Sequence, residues 1–221
     1  MNNSNKAVCF MPVRLNSTRI EEKSIKPLGG RPLFCWLLSV LDKLGIEVHV
    51  YASECDKLEG LMDFQATNVI FTKRPEKLDG DDVKGIDIYK AFREQVPADI
   101  YLLVHCTSPF TKYTTLRKVL DPVLNGDCAS SLTVEEKRTF AWFEGKPLNF
   151  GIPRIQTQLL EPIYFETSGA YCYRSSLLDA GDRSDMEPKK IVVSWPETED
   201  IDDPDDFSRC ESLASALRNY K

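Results

Sequence analysis

Three apolar runs, AVCFMPV (7–13), EVHVYAS (47–53) and DIYLLVHCTSP (99–109), alternate with segments of helical period, and this alternation limits the available folds more than any other feature. A short run apolar on both faces reads as a strand of a parallel sheet. PLFCWLLSVLDKLG (32–45) has Pro at a helix-start position, apolar side chains at helical spacing and Gly at its end. DKLEGLMDF reads as a second helix and NVIFTKRP (68–75) as a strand. DDVKGIDIYKAFREQV (81–96) reads as a helix introduced by acids, and TTLRKVLDPVLNG as one bent or ended near Pro122. Right-handed crossovers then predict an α/β class: a mainly parallel sheet with helices on both faces.

The pattern loosens after CASSLTVEE (128–136). TFAWFEGKPLNF (139–150) reads as a hairpin turning at Glu144-Gly145-Lys146, and GIPRIQTQLLEPIYFETSG is expected to be irregular. Together they predict an arm that leaves the sheet around 137–166. AYCYRSSLLDAG and KIVVSW (190–195) restore regular structure, and ETEDIDDPDDFSRCESLASALRNY begins as an acidic turn and closes as a helix. There Pro204 takes the first helical position and Asp205 and Asp206 the first turn. With 221 residues and no self-similar period, one domain over 1–221 is expected.

A formal net charge of -6 argues against a nucleic acid or an anionic membrane as partner, since both require a broad basic surface. MNNSNKAVCF lacks a secretory leader's pattern and no window is apolar enough to span a bilayer, so a cytoplasmic protein is expected. Seven cysteines (9, 35, 55, 106, 128, 172, 210) stand singly, without a C-x-x-C pair. That predicts reduced thiols filling core space, not a disulfide framework or a thiolate zinc site.

Within this acidic chain, MPVRLNSTRIEEKSIKPLGGRP (11–32) concentrates basic and small polar residues just after the first strand. Ligands of open α/β sheets collect at strand carboxyl ends. Arg14, Asn16, Ser17, Thr18, Arg19 and Lys23 therefore lie where a site is expected, and their charges and small-residue backbone suit a triphosphate. A solvated basic loop is the plainer reading of any one of them. The loop is neither a GxxxxGK[ST] nor a GxGxxG phosphate motif.

MPVRLNSTRIEEKSIKPLGGRPLF resembles the opening signature of the bacterial CMP-sugar synthetases, the cytidylyltransferases that activate acidic sugars such as sialic acid and Kdo. The resemblance implies nucleotide-binding positions at Arg14, Ser17 and Lys23, with Asn16, Thr18 and Arg19 lining the triphosphate; STR at 17–19 is closer to the Kdo branch. Val13 and Glu21 depart from the usual Ala and Pro. RPEKLDGDD (74–82) is similar to the family's R-P-x-x-L-x-x-D, placing Arg74 and Asp81 near the nucleotide. LLVHCTSPF (102–110) is similar to L-L-Q-P-T-S-P-L-R, which brings Thr107 and Ser108 to the acceptor side. There His105 replaces Gln, Cys106 replaces Pro and Thr111 replaces the closing Arg. A lone His on an apolar strand is also an ordinary core residue.

EDIDDPDDF (199–207) is similar to the family's D-I-D-x-x-x-D-F. Asp200 and Asp202, two apart on extended backbone, would offer hard oxygen ligands to Mg²⁺. Capping by acids explains Asp205 and Asp206 without a metal. IPRIQTQLLEPIYFETSGAYCYR (152–174) looks like the part of the family in which an arm crosses to a second subunit and a Gly-Ala-x-Tyr strand borders the sugar. That implies a homodimer and acceptor contacts at Arg154, Gln156 and Ser168.

The resemblance implies a Rossmann-like nucleotidyltransferase domain. It implies transfer of CMP from CTP to an acidic sugar or related acid, with release of pyrophosphate, in polysaccharide biosynthesis. Arg14, Lys23 and Asp202 are the expected catalytic set and Mg²⁺ the expected cofactor. The altered acceptor residues keep open a phosphonate or polyol phosphate acceptor and a nucleotide-binding protein without turnover. A D-x-D glycosyltransferase is a further alternative, weakened by the C-terminal position of its acids.

Overall fold

The computed structural model describes residues 5–219. Its strands are β1 (Ala7–Pro12), β2 (Pro27–Leu28), β3 (Arg31–Pro32), β4 (Glu47–Ala52), β5 (Val69–Lys73), β6 (Ile100–Val104), β7 (Ser130–Lys137), β8 (Trp142–Phe143), β9 (Lys146–Pro147), β10 (Ile163–Arg174) and β11 (Lys189–Val193). Its helices are α1 (Leu33–Leu41), α2 (Cys55–Gly60), α3 (Gly85–Gln95), α4 (Tyr113–Asn125) and α5 (Pro204–Asn219).

Seven strands form the main sheet in the order β11-β7-β10-β6-β1-β4-β5. β6, β1, β4 and β5 run parallel, as the strand–helix alternation predicts, and β10 enters antiparallel to both β6 and β7. β1 and β6 are buried at nearly every position because helices cover both faces. On one face Cys9, Met11, Val50, Leu102 and Val104 pack with residues of α1 and α4. On the other, Val8, Phe10, Tyr101 and Leu103 meet Tyr89 and Phe92 of α3, with the Phe10 and Phe92 rings stacked at 4.3 Å. Among the described residues no helix is long and apolar enough to cross a membrane.

The chain leaves β1 toward β4 and β5 on one side, then returns past β1 to place β6 on the other. The loops after β1 and β6 diverge at this switch point and open a cleft between them. A short β2–β3 ribbon within the first loop turns through Gly29 and Gly30, both at positive φ. A side chain at Gly29 would also meet Ala214 of α5 at 3.0 Å, so glycine lets α5 press directly on the ribbon.

Three local expectations are corrected. The helix expected over 81–96 begins at Gly85, the acidic stretch before it forming a turn preceded by a 3₁₀ turn at Glu76–Leu78. The segment expected to be irregular up to Gly169 is regular from Ile163, where β10 pairs with β7, so the arm spans 138–162. Its hairpin turns on Glu144 and Gly145 alone, both at positive φ, and Lys146 belongs to β9. The register of β10 against β7 shifts between Glu166 and Tyr171. Thr133 fills that irregularity: its Oγ1 accepts from the Ala170 N–H at 3.1 Å and from the Thr167 hydroxyl at 2.7 Å.

Candidate active site

The cleft over β1 and β6 has two compartments. Arg14, Ser17, Thr18, Arg19 and Lys23 line the first, facing His105, Cys106 and Thr107 at the end of β6. The second runs past Arg74, Gly80, Asp81, Gly85 and Tyr89. Pro12, Arg14 and His105 belong to both, so the compartments are continuous at His105.

The first loop is held in place by its own polar groups. Ser24 Oγ donates to the Arg14 carbonyl at 3.0 Å, and Lys23 Nζ donates to the Ile201 carbonyl at 2.6 Å. Ile201 N–H in turn donates to the Thr107 carbonyl at 2.9 Å. Three distant segments, 14–25, 105–107 and 199–203, are thereby tied around one compartment. Each cation of the loop faces an acid: Arg14 reaches Asp81 at 3.2 Å, Arg19 reaches Asp202 at 2.8 Å, and Lys23 lies 4.0 Å from Asp202. Arg14, Arg19, Asp81 and Asp202 are about half exposed, so these pairs are weakly held and open to exchange for another anion.

Of the expected nucleotide residues, Arg74 lines the second compartment but is pinned within its wall, and Asn16 lines neither compartment. Arg74 is buried at 1% exposure, and its guanidinium donates to Asp79 Oδ1 (Nε, 2.9 Å), to the Val13 carbonyl (3.0 Å) and to the Tyr51 carbonyl (3.3 Å). Its donors tie the end of β5 to the ends of β1 and β4, so it braces the second compartment's wall. Asn16 turns away from the cleft into a recess with Ser53, Glu54, Glu76 and Asp79.

Asp200 and Asp202 flank Ile201 on the segment that closes the first compartment. Asp203 caps α5: its Oδ1 accepts from the N–H groups of Asp205 and Asp206, each at 2.9 Å. Asp206 Oδ2 reaches back to the N–H groups of Asp202 and Asp203 at 2.9 and 3.0 Å. Burial pushes the Asp206 carboxyl up, but these N–H groups and Arg209 outweigh it and hold the group below its usual range. Capping thus accounts for Asp203 and Asp206 and leaves Asp200 and Asp202 over. Asp200 Oδ1 is sealed from solvent with no partner among the described residues. An orphaned carboxylate oxygen beside a second carboxylate fits a hard divalent cation whose remaining ligands are water and phosphate. Among the described residues no group of three or more His, Cys, Asp or Glu could hold a metal.

At the end of β6, His105 Nδ1 lies 3.0 Å from the Ser168 carbonyl, which can only accept, so Nδ1 carries the proton. Burial lowers the His105 pKa, against the raising effect of the Ser168 hydrogen bond and Asp200, and so favours the neutral ring. Thr107 lines the first compartment, whereas Ser108 is 1% exposed with its Oγ unpartnered among the described residues. Arg154 and Gln156, both on the arm, line neither compartment. Arg154 lies over the rings of Phe140 and Phe150, and Gln156 accepts from Gln158 at 2.6 Å.

Sequence reasoning missed two residues. Tyr89 sits one turn into α3 with its hydroxyl against Gly85, where a methyl group would stand 2.9 Å away, and it forms part of the second compartment's wall. Its apolar helical spacing marks it only as core. Arg183 comes from the polar stretch GDRSDMEP, which carries no motif, and packs on the Tyr171 ring at 4.1 Å.

A model of the cytidylyltransferase family matches residues 8–145. A 3-deoxy-manno-octulosonate cytidylyltransferase of Agrobacterium fabrum is 28% identical over 143 residues, covering 61% of this chain and 55% of the relative. The chain thus matches little more than half the length of that curated relative. Two solved structures share the fold across almost the whole chain. A CMP:2-keto-3-deoxy-manno-octonic acid synthetase complexed with CTP has a TM-score of 0.69 at 17% identity, covering 96% of this chain and 99% of that one. A 4-diphosphocytidyl-2C-methyl-D-erythritol synthase from Anaerococcus prevotii has a TM-score of 0.67 at 10% identity, covering 98% and 97%. With well over half of its residues matched by the family model, and that match spanning both walls of the cleft, the chain belongs to the cytidylyltransferase family.

Proposed function

We propose that this protein transfers CMP from CTP to an acidic sugar or a related acid, releasing pyrophosphate. The observation that carries this reading is the first compartment at the sheet's switch point, where Arg14, Arg19 and Lys23 gather and two of them face the segment that carries Asp202 and the orphaned Asp200 oxygen. Arg14, Arg19 and Lys23 exchange their carboxylate partners for phosphate oxygens, and they neutralise the charge that grows on the departing pyrophosphate. Ser17 and Thr18 hydroxyls and the loop backbone hydrogen-bond the same oxygens. The second compartment takes the nucleoside, with Arg14 and Asp81 at its mouth and Arg74 bracing its wall.

Asp200 and Asp202 would hold Mg²⁺. A divalent cation bound there supplies charge neutralisation at phosphate and lowers the pKa of a nearby hydroxyl. His105 and Thr107 face the acceptor from the end of β6, with Ser168 fixing the His105 ring. The acceptor's hydroxyl oxygen forms the new bond to the α-phosphorus of CTP as the bond to pyrophosphate breaks, and its proton leaves to solvent. The relative from A. fabrum favours a Kdo-like acid, and the fold shared with the methylerythritol synthase keeps a polyol phosphate in view. Seven free cysteines suit a reducing compartment such as the cytoplasm.

The test is pyrophosphate release from CTP and Mg²⁺ against sialic, legionaminic and pseudaminic acids, Kdo, phosphonates and a polyol phosphate. Release with one acceptor is expected. Silence across the panel while CTP binds would favour a nucleotide-binding protein without turnover.

The arm supports a second part of the proposal, a homodimer. Trp142, Phe143, Leu148, Ile152, Ile155 and Leu159 stand 50–96% exposed between β7 and β10. So large an apolar surface suits a partner. The family resemblance of 152–174 implies that Arg154 and Gln156 would then serve the other subunit's acceptor. Light scattering should give twice the 25.1 kDa chain mass. A monomeric mass at micromolar concentration would contradict the dimer.

A further inference from the structure

Over Tyr171 of β10 lies a cation that the phosphate-facing set does not use. Arg183 packs on the Tyr171 ring at 4.1 Å, and the edge of that ring arrangement meets His105 at 6.2 Å. Tyr89, part of the cleft wall, also lies against Arg183, and the Arg183 charge acts on both Tyr89 and His105. Arg183 is therefore one ring removed from His105, the residue at which the two compartments join.

The Tyr171 and Tyr89 hydroxyls take part of its hydrogen-bonding capacity, and part is unspent. Nε is sealed from solvent with no partner among the described residues. The facing carboxylate, Glu166, is 3.6 Å from Nη2, beyond hydrogen-bond length, and 55% exposed. A guanidinium oriented on an aromatic face, with donors left over, is suited to take a planar carboxylate or a phosphate in a forked contact. His105 presents the opposite chemistry. With Nδ1–H committed to the Ser168 carbonyl, Nε2 of the neutral ring offers a lone pair, which accepts from a hydroxyl and repels an anion.

We propose that His105 and Arg183 sort the acceptor's functional groups: His105 accepts a hydrogen bond from an acceptor hydroxyl, and Arg183 receives the acceptor's carboxylate or phosphate. The inference rests on the cytidylyltransferase reading and goes beyond it by placing the acid at a loop residue outside the family-like motifs. The Gln of the family's pattern can donate as well as accept, whereas this His105 tautomer only accepts. The acid must therefore find its donors elsewhere, and Arg183 has them.

The test measures binding in EDTA, so that no turnover is needed. Calorimetry gives CTP affinity first, then the affinities of Kdo, N-acetylneuraminate and erythritol 4-phosphate with CTP saturating. These probes separate a carboxylate from a phosphate. At least one acid should bind the wild type. Arg183→Gln should weaken it about tenfold or more, Arg183→Lys by less, with CTP affinity unchanged in both. His105→Phe keeps a ring against Tyr171 without a lone pair and should weaken the same acid more than it weakens CTP. Equal acid binding by wild type and Arg183→Gln would overturn the proposal. So would CTP binding without binding of any acid. Loss of CTP together with the acid in both Arg183 variants would also overturn it, by showing a structural role. Failure of the wild type to bind CTP would instead sink the underlying reading, and this proposal with it.

Discussion

Asp202→Asn lowers CMP transfer by about a hundredfold or more, the scale seen when one preorganised charge-stabilising group is removed from an active site. The same substitution has a second, opposite effect on binding. Arg19 and Lys23 both face Asp202, at 2.8 and 4.0 Å, so the carboxylate competes with any triphosphate for them. Removing its charge frees both cations, and CTP affinity in EDTA should rise. The gain is small, about two- to fivefold, because the Arg19 pair is more than half exposed and screened by water. Asparagine keeps the volume and leaves the Asp206 carboxylate bonded to the backbone N–H of residue 202, so the cap of α5 survives. Turnover and metal-free CTP binding, measured on one preparation, separate the two effects. Unchanged turnover would remove Asp202 from the chemistry.

Arg74→Ala destabilises the fold by about 3–5 kcal/mol, since breaking a buried pair leaves the other charge without compensation. The side chains of Arg74 and Asp79 are 2% and 16% exposed, so solvent offers Asp79 little help. The carbonyls of Val13 and Tyr51 lose their donors as well. A typical domain has only about 5–15 kcal/mol in hand. Arg74→Lys recovers part of the loss, because an ammonium cannot fork between Asp79 and two carbonyls. The urea midpoint measures this. A change below about 1 kcal/mol would show that Arg74 does not brace the wall, and would return it to the candidates for direct phosphate contact.

These two residues also show what sequence alone conveys. Arg74 stands in a motif that implies a place near the nucleotide, and nothing in that motif shows that its guanidinium is spent on the protein itself. Its burial depends on β4 and β5 lying side by side with their ends level, a relation between distant segments that no local pattern carries. Asn16 is separated from Ser17 by one peptide bond, yet the turn after Leu15 sends it into a different recess. By contrast, β1, β4 and β6 are legible because burial on both faces demands apolar runs, and the Arg14–Lys23 loop is legible because strand ends of such sheets are where ligands gather.

β10 was half missed for a physical reason. Ile163–Gly169 lies mainly exposed or half-buried beside the arm, so its residues need not be apolar, and its register shift depends on Thr133 from another strand. Arg183 was missed altogether, because its place on Tyr171 is created only when the loop after β10 folds back. The acids of EDIDDPDDF were separable only in part. Capping geometry assigns Asp203 and Asp206 to the helix, and it is the orphaned oxygen of Asp200, visible only in three dimensions, that sets the other pair apart.

The central claim is that the cleft over β1 and β6 is a CTP site held by the loop cations. Titration calorimetry of CTP, UTP, ATP and GTP against the wild type and Lys23→Ala tests it directly. Lys23 is 12% exposed and reaches both Ile201 and Asp202, so its loss leaves a gap at the centre of the first compartment. The account predicts that CTP binds the wild type more tightly than the other three nucleotides, and that Lys23→Ala weakens CTP by about tenfold or more. Equal affinity for all four nucleotides, or CTP binding that Lys23→Ala leaves intact, would contradict it.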